Sequence, residues 1–138
     1  MTCPFCTINE EKTKIIKEKT HVKIILSNPR LMPGHLLVIP NKHVEKISQL
    51  NETEKKELFD TVIEYQEKIL SKLMIGCDIS QHYRPFIKDN KLKISHLHFH
   101  LQPREFEDEL YKKVQKFDRE VFKDLTEKEA GEISKKLK

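Results

Sequence analysis

Three histidines at every second position, His96, His98 and His100, alternate with Leu97, Phe99 and Leu101. In an extended chain the imidazoles leave one face, roughly 7 Å apart, and the apolar side chains leave the other. Such a row can ligate a metal, donate hydrogen bonds to a phosphate or present a nucleophile. The polar outer face of an edge strand is the reading without chemistry. A metal site using all three histidines is a stronger rival, because His-x-His pairs hold zinc in hydrolytic centres. A two-metal phosphoesterase also wants carboxylate ligands, and this run supplies none. Cys3 and Cys6 form a Cys-x-x-Cys pair, and Cys77 stands alone. Two thiolates need two further ligands to close a tetrahedral zinc site. The alternative is a terminal pair without metal. Cys77 reads as a small buried hydrophobe.

The surrounding pattern supplies elements to carry these groups. Residues 14–27 read as two short strands, with β-branched residues on either side of the polar run from Lys17 to Thr20. Asn28 to Gly34 reads as a loop by its Pro and Gly content. Residues 35–39 read as a central strand ended by Pro40, since the run is apolar on both faces. Residues 52–74 read as a long helix. Asn51 and Glu54 have capping-box spacing, and Leu58, Val62, Tyr65, Ile69 and Leu73 recur at helical steps. A further strand is expected within 77–86, a polar loop over 85–91, and the histidine strand over 94–102. Beyond Pro103 the chain turns polar and helical, and Thr126 and Glu129 cap a last helix. Strands, one long helix, strands and terminal helices together imply an antiparallel α+β domain.

The chain has 138 residues, enough for one domain with a real core. It is 37% hydrophobic and 35% charged, a globular balance. Apolar runs such as Leu36-Leu37-Val38-Ile39 are far shorter than the ~20 residues of a membrane span, so no membrane partner is expected. The first residues carry neither a basic nor an apolar leader segment, so no secretory signal is expected. The 26 Lys and Arg are interspersed with 22 Asp and Glu, for a net charge of +4. That distribution argues against a nucleic-acid partner and suits a small anionic ligand. With no leader, the expected compartment is the reducing cytoplasm, where Cys-x-x-Cys reads as metal or redox.

The run His96-Leu97-His98-Phe99-His100-Leu101-Gln102 resembles the motif of the histidine triad (HIT) hydrolases and transferases. A second block, Pro33-Gly34-His35-Leu36-Leu37-Val38-Ile39-Pro40-Asn41-Lys42-His43, is similar to that family's Pro-Gly-His strand and the Pro-Lys-x-His that follows it. The resemblance covers nearly the whole chain. It implies an α+β fold with an antiparallel sheet, one long helix and C-terminal helices. It implies nucleotidyl transfer with His98 as the nucleophile at an α-phosphorus, His100 as donor to the leaving atom, and His35 behind it as orienter. It also implies a structural zinc on Cys3, Cys6, His43 and His96, and a homodimer joined through the long helix and the sheet. Asn28 stands where the family hydrogen-bonds the ribose, and is otherwise a turn residue before Pro29. Ser95 could offer its hydroxyl or backbone N–H to phosphate.

The tail points to a branch. Asp108-Glu109-Leu110-Tyr111 and the segment from Gln115 to Phe122 resemble the extension of the fragile histidine triad branch, whose members cleave dinucleoside polyphosphates. There a Tyr at the place of Tyr111 sits near substrate; Tyr111 otherwise reads as an amphipathic helix residue. The chain departs from the family's pattern. Leu92-Lys93-Ile94-Ser95 stands in place of the family's Gly-Gln-Ser or Gly-Gln-Thr, with only the Ser matching. The Gln that contacts phosphate in the fragile branch has no clear counterpart near Pro85, where Arg84 or Lys93 could supply charge. Gln102 occupies a usually apolar position. The expectation is one HIT domain over residues 1–138, with a zinc-binding start at 1–10 and a helical extension at 104–138. Its substrate is a nucleotide, foremost diadenosine tri- or tetraphosphate. A nucleoside phosphoramidase, a nucleotidyltransferase and a non-catalytic nucleotide binder are the alternatives.

Overall fold

Runs of β-branched and aliphatic residues build the sheet of the computed structural model, which describes residues 3–138. The strands are β1 (Ile15–Glu18), β2 (Val22–Leu26), β3 (Leu36–Pro40), β4 (Gly76–Ser80) and β5 (Phe99–Arg104). Among the described residues they form one antiparallel sheet in the order β1-β2-β3-β5-β4. β3 is central and buried at every position, as its unbroken apolar character requires. The fold is α+β.

The long helix α1 runs over Glu52–Lys72. The Asn51 side chain accepts from the Glu54 N–H, and Glu54 reaches back to the Asn51 N–H, so two orphan donors at the helix start are satisfied. α1 buries Leu58, Thr61, Val62, Tyr65 and Ile69. These pack with Val22, Ile24, Leu36, Val38, Leu97, Phe99 and Leu101 of the sheet side. Each large side chain so buried contributes about 1.5–3 kcal/mol. A smaller cluster of Ile25, Leu37 and Ile39 carries Phe5, Ile8 and Ile15. Leu37 pairs directly with His100, so this second cluster lies on the histidine face.

Several expectations are corrected here. The helix ends at Lys72 rather than at 74, and Gly76 opens β4. The histidine segment is regular strand only from Phe99. Before it, the His96 carbonyl accepts from the His98 ring and the Leu97 N–H donates to the Val44 carbonyl, so neither group joins a ladder. β5 continues through Pro103 to Arg104, two residues past the expected end at 102. Its pairing with β3 stops at Leu101, so Pro103 sits where the strand has one neighbour, a place that tolerates a missing N–H.

The chain divides into two compact units, Met1–Phe106 and Glu107–Lys138. The boundary falls slightly after the expected extension start at 104, because Arg104 belongs to β5. The second unit holds α2 (Glu109–Lys113), a 3-10 turn at Gln115–Glu120 and α3 (Glu127–Leu137). Asp108 caps α2 and Thr126 caps α3 by accepting from the Glu129 N–H. Of the expected zinc-binding start at 1–10, residues 1 and 2 lie outside the described residues.

Candidate active site and metal centre

Gly34 takes φ +85°, a left-handed turn that a side chain would resist, and a Cβ there would meet Pro103 at 3.0 Å. This turn delivers His35 to the head of β3. The Leu31 N–H donates to His35 Nδ1 at 3.2 Å. His35 therefore carries its proton on Nε2, which lies 2.9 Å from His100 Nδ1 and donates to it. His100 Nδ1 is then an acceptor, and its remaining proton sits on Nε2. His98 Nδ1 donates to the His96 carbonyl at 2.7 Å, which leaves the His98 Nε2 lone pair free. The two rings meet edge to face with centroids 4.8 Å apart. One histidine thus offers a lone pair and its neighbour an N–H, a pairing suited to attack on a phosphorus and support of the departing atom.

Burial favours the neutral form of all three rings. It lowers His35 to about 4, with the charge of His98 adding to the effect. It lowers His100 to about 3, aided by His98, His35, His82 and Arg84. His98 is also lowered by burial, against the opposing bond to the His96 carbonyl. Phe5 packs edge-on against His98 at 5.0 Å and His96 at 6.0 Å. Sequence reasoning missed Phe5, although its place inside the Cys-x-x-Cys pair was the available signal.

A second cluster lies beside the first. Cys3 Sγ is 3.3 Å from His96 Nδ1, and Cys6 Sγ is 3.2 Å from His43 Nδ1 and 3.6 Å from His96 Nδ1. The two Nδ1 atoms are 3.1 Å apart, and all four ligand atoms lie within 4.8 Å of one another. A tetrahedral zinc with bonds of about 2.3 Å to sulfur and 2.0 Å to nitrogen sets S–N edges near 3.5 Å and N–N edges near 3.3 Å. The three S–N spacings and the N–N spacing given above match. His96 Nε2 donates to the Pro40 carbonyl at 2.8 Å, so its Nδ1 lone pair faces the cluster. Burial lowers His96 to about 4, which keeps that lone pair free. The Cys6 thiol is pushed up by burial and then by Cys3, an effect a divalent cation would reverse. These four residues could hold a metal ion.

The other expected site residues behave differently. Asn28 is exposed, and its Nδ2 donates to the Lys12 carbonyl at 2.9 Å, which ties the loop before Pro29. Ser95 is committed locally. Its N–H donates to Asp89 Oδ2 at 3.1 Å, its hydroxyl bonds the same carboxylate, and Lys93 Nζ lies 2.5 Å from Oγ. A phosphate would have to displace Asp89 to reach Ser95. Tyr111 belongs to the second unit, on α2, where its N–H donates to the Asp108 side chain. Cys77 packs half-buried against the main core. Gln102 is buried, and its Oε1 has no hydrogen-bond partner among the described residues.

Comparison with known proteins bears on the family and the fold. The model of the family described as HIT domain matches residues 9–107. An uncharacterized HIT-like protein of Methanocaldococcus jannaschii is 33% identical over 108 residues, covering 74% of this chain and 78% of that protein. The crystal structure of a HIT family member from Bacillus subtilis matches with a TM-score of 0.75 at 23% identity, over 99% of this chain and 95% of that one. A Zn-bound histidine triad family protein from Mycobacterium smegmatis matches with a TM-score of 0.63 at 23% identity, over 80% of each chain.

Proposed function

Because the chain belongs to the HIT domain family, whose members are generally hydrolases acting on nucleotides, we propose that it cleaves dinucleoside polyphosphates through a nucleotidyl-histidine on His98. The observation that carries this is the relay from the Leu31 N–H through His35 to His100, set beside the oppositely oriented ring of His98. His98 Nε2 forms a bond to the α-phosphorus while the bridging P–O bond breaks. The electron pair leaves with the departing phosphate oxygen, which takes a hydrogen bond from His100 Nε2–H. Water then attacks the same phosphorus, the N–P bond breaks, and one proton is released with the nucleoside monophosphate. Holding both rings in fixed tautomers removes the cost of organising them at each turnover.

The cluster of Cys3, Cys6, His43 and His96 is the proposed seat of a structural zinc. With four protein ligands its coordination is full, and when bound it fixes the His96 carbonyl that orients His98. That the Mycobacterium smegmatis relative is Zn-bound supports this reading. Reduced thiols in the set fit a cytoplasmic location. Residues 9–107 are read as the HIT domain and the second unit as its extension. Asn28 keeps its Oδ1 for the ribose while Nδ2 holds the loop. Ser95 remains a phosphate contact only on displacement of Asp89, and Tyr111 is assigned by the resemblance of the tail alone. We also read the protein as a homodimer. β4 is an edge strand, and α1 exposes Phe59, Ile63 and Leu70.

The test is product analysis. Diadenosine tetraphosphate should be split into AMP and ATP, and His98→Ala should lower turnover by at least about a thousandfold with the fold intact. Retention of more than a few per cent of activity in that variant removes the nucleophile assignment.

A further inference from the structure

Ser80, the last residue of β4, pairs with His100 across the sheet. Two residues on, the chain returns to the same side, and the ring of His82 lies 5.4 Å from that of His100 at an interplanar angle of 34°. His100 is thus flanked by His98 on one side and His82 on another. Arg84 follows in the same loop, whose turn is held by the Ile87 N–H bonding the Arg84 carbonyl at 3.1 Å. The Arg84 charge reaches both imidazoles, opposing protonation of His82 and His100 alike.

The cations near this loop are not equivalent. Lys93 is matched by Asp89 at 3.2 Å and held against Ser95. Arg84 is exposed and engaged in no ion pair among the described residues. A cavity of about 20 Å3, lined in part by His82, Arg84, Lys93, Ser95 and Glu45, lies against the loop. That volume suits about one water, not a phosphate chain. An anion meeting His82 and Arg84 must therefore lie on their open side. In-line displacement puts the leaving group opposite the attacking His98 Nε2. His100, as donor to the leaving atom, marks that side; the His82 ring lies beside it, and Arg84 lines the same cavity as His82.

We propose that His82 and Arg84 form a leaving-group subsite that selects a chain of further phosphates over an uncharged leaving group. This rests on the nucleotidyl-histidine reading above and adds to it the residues that choose between substrates. A guanidinium without a carboxylate partner can meet phosphate oxygens with two parallel donors. Ammonia leaving from adenosine 5′-phosphoramidate offers it nothing to bind.

The experiment compares kcat/KM for diadenosine tetraphosphate with kcat/KM for adenosine 5′-phosphoramidate in the full chain. The ratio of the two should fall about ten- to a hundredfold in Arg84→Ala, as expected for losing charged hydrogen bonds. It should recover in part in Arg84→Lys, and fall by a smaller factor in His82→Ala. A merely structural role would lower both substrates together, and an unmoved ratio overturns the subsite. Wild-type turnover of the phosphoramidate without the tetraphosphate overturns it too, while leaving the chemistry of His98 standing. Turnover of neither removes the underlying reading and the subsite with it.

Discussion

The chemistry of single residues here is decided by where each ring proton sits. His35, His98 and His100 share a side chain, yet backbone groups assign them different jobs: Leu31 feeds His35, and the His96 carbonyl holds His98. Their neutrality has a consequence for pH. All three are lowered from the ordinary 6.5, His35 to about 4 and His100 to about 3. Below pH 6.5 the unfolded chain therefore binds protons that the folded chain refuses. The stability these rings contribute is fully present above 6.5 and is lost as pH falls toward 4 and then 3. Activity follows the same direction, because a protonated His98 has no lone pair. We expect the acid limb of kcat/KM to be centred below 6.5, with the melting temperature falling over the same acid range. A pH–rate profile whose acid limb is centred above 6.5 would contradict a buried, neutral nucleophile. His98 and His100 could be singled out from their alternating spacing, and His35 only through the resemblance of the Pro33-Gly34-His35 block. The commitment of Ser95 to Asp89 could not, because it depends on how the 89–95 loop folds back on itself.

Elements set which of these residues meet. The expected strand over 94–102 placed the three histidines on one face. The structure starts β5 at Phe99 and uses the irregular residues before it to turn His96 toward Cys3, Cys6 and His43. That irregularity lets His96 face the Cys3, Cys6 and His43 cluster while His98, two residues later, bonds the His96 carbonyl. Alternating polarity shows which face a side chain leaves from, but not where the ladder begins. Purified protein should hold about one zinc per chain, and Cys3→Ser should lose most of it. The same variant should lower the melting temperature, and it should reduce turnover about ten- to a hundredfold, as expected for disturbing a ligand's outer support. Elemental analysis finding no zinc in fresh, chelator-free protein would refute the centre. The subsite at His82 and Arg84 belongs to this scale as well. It follows from the register Ser80 with His100, and no local pattern in the loop after β4 announces that pairing.

For the whole molecule, the long helix was legible because its cap and apolar stripe agree, and the central strand because its run is apolar throughout. The order of strands was not legible, since β3 and β5 pair across the whole of α1 and β4. α1 turns one side to the core and leaves Phe59, Ile63 and Leu70 40–57% exposed, and apolar groups exposed together can mark an interaction surface. If two copies cover it, sedimentation should report a dimer at micromolar concentration. Ile63→Lys, at the most exposed of the three, should shift it to monomer with the helix content unchanged. A wild-type monomer under those conditions would refute the pairing. The second unit carries its own caps at Asp108 and Thr126, so its helices are specified locally rather than by the sheet.

The central claim is that His98 Nε2 makes a bond to phosphorus. Diadenosine tetraphosphate carrying a labelled α-phosphate, mixed with the enzyme and quenched in alkali within the first turnovers, tests it most directly. The account predicts an acid-labile label on the peptide carrying His98, absent from His98→Ala. Steady turnover with no label on the protein, or label on another residue, would contradict it.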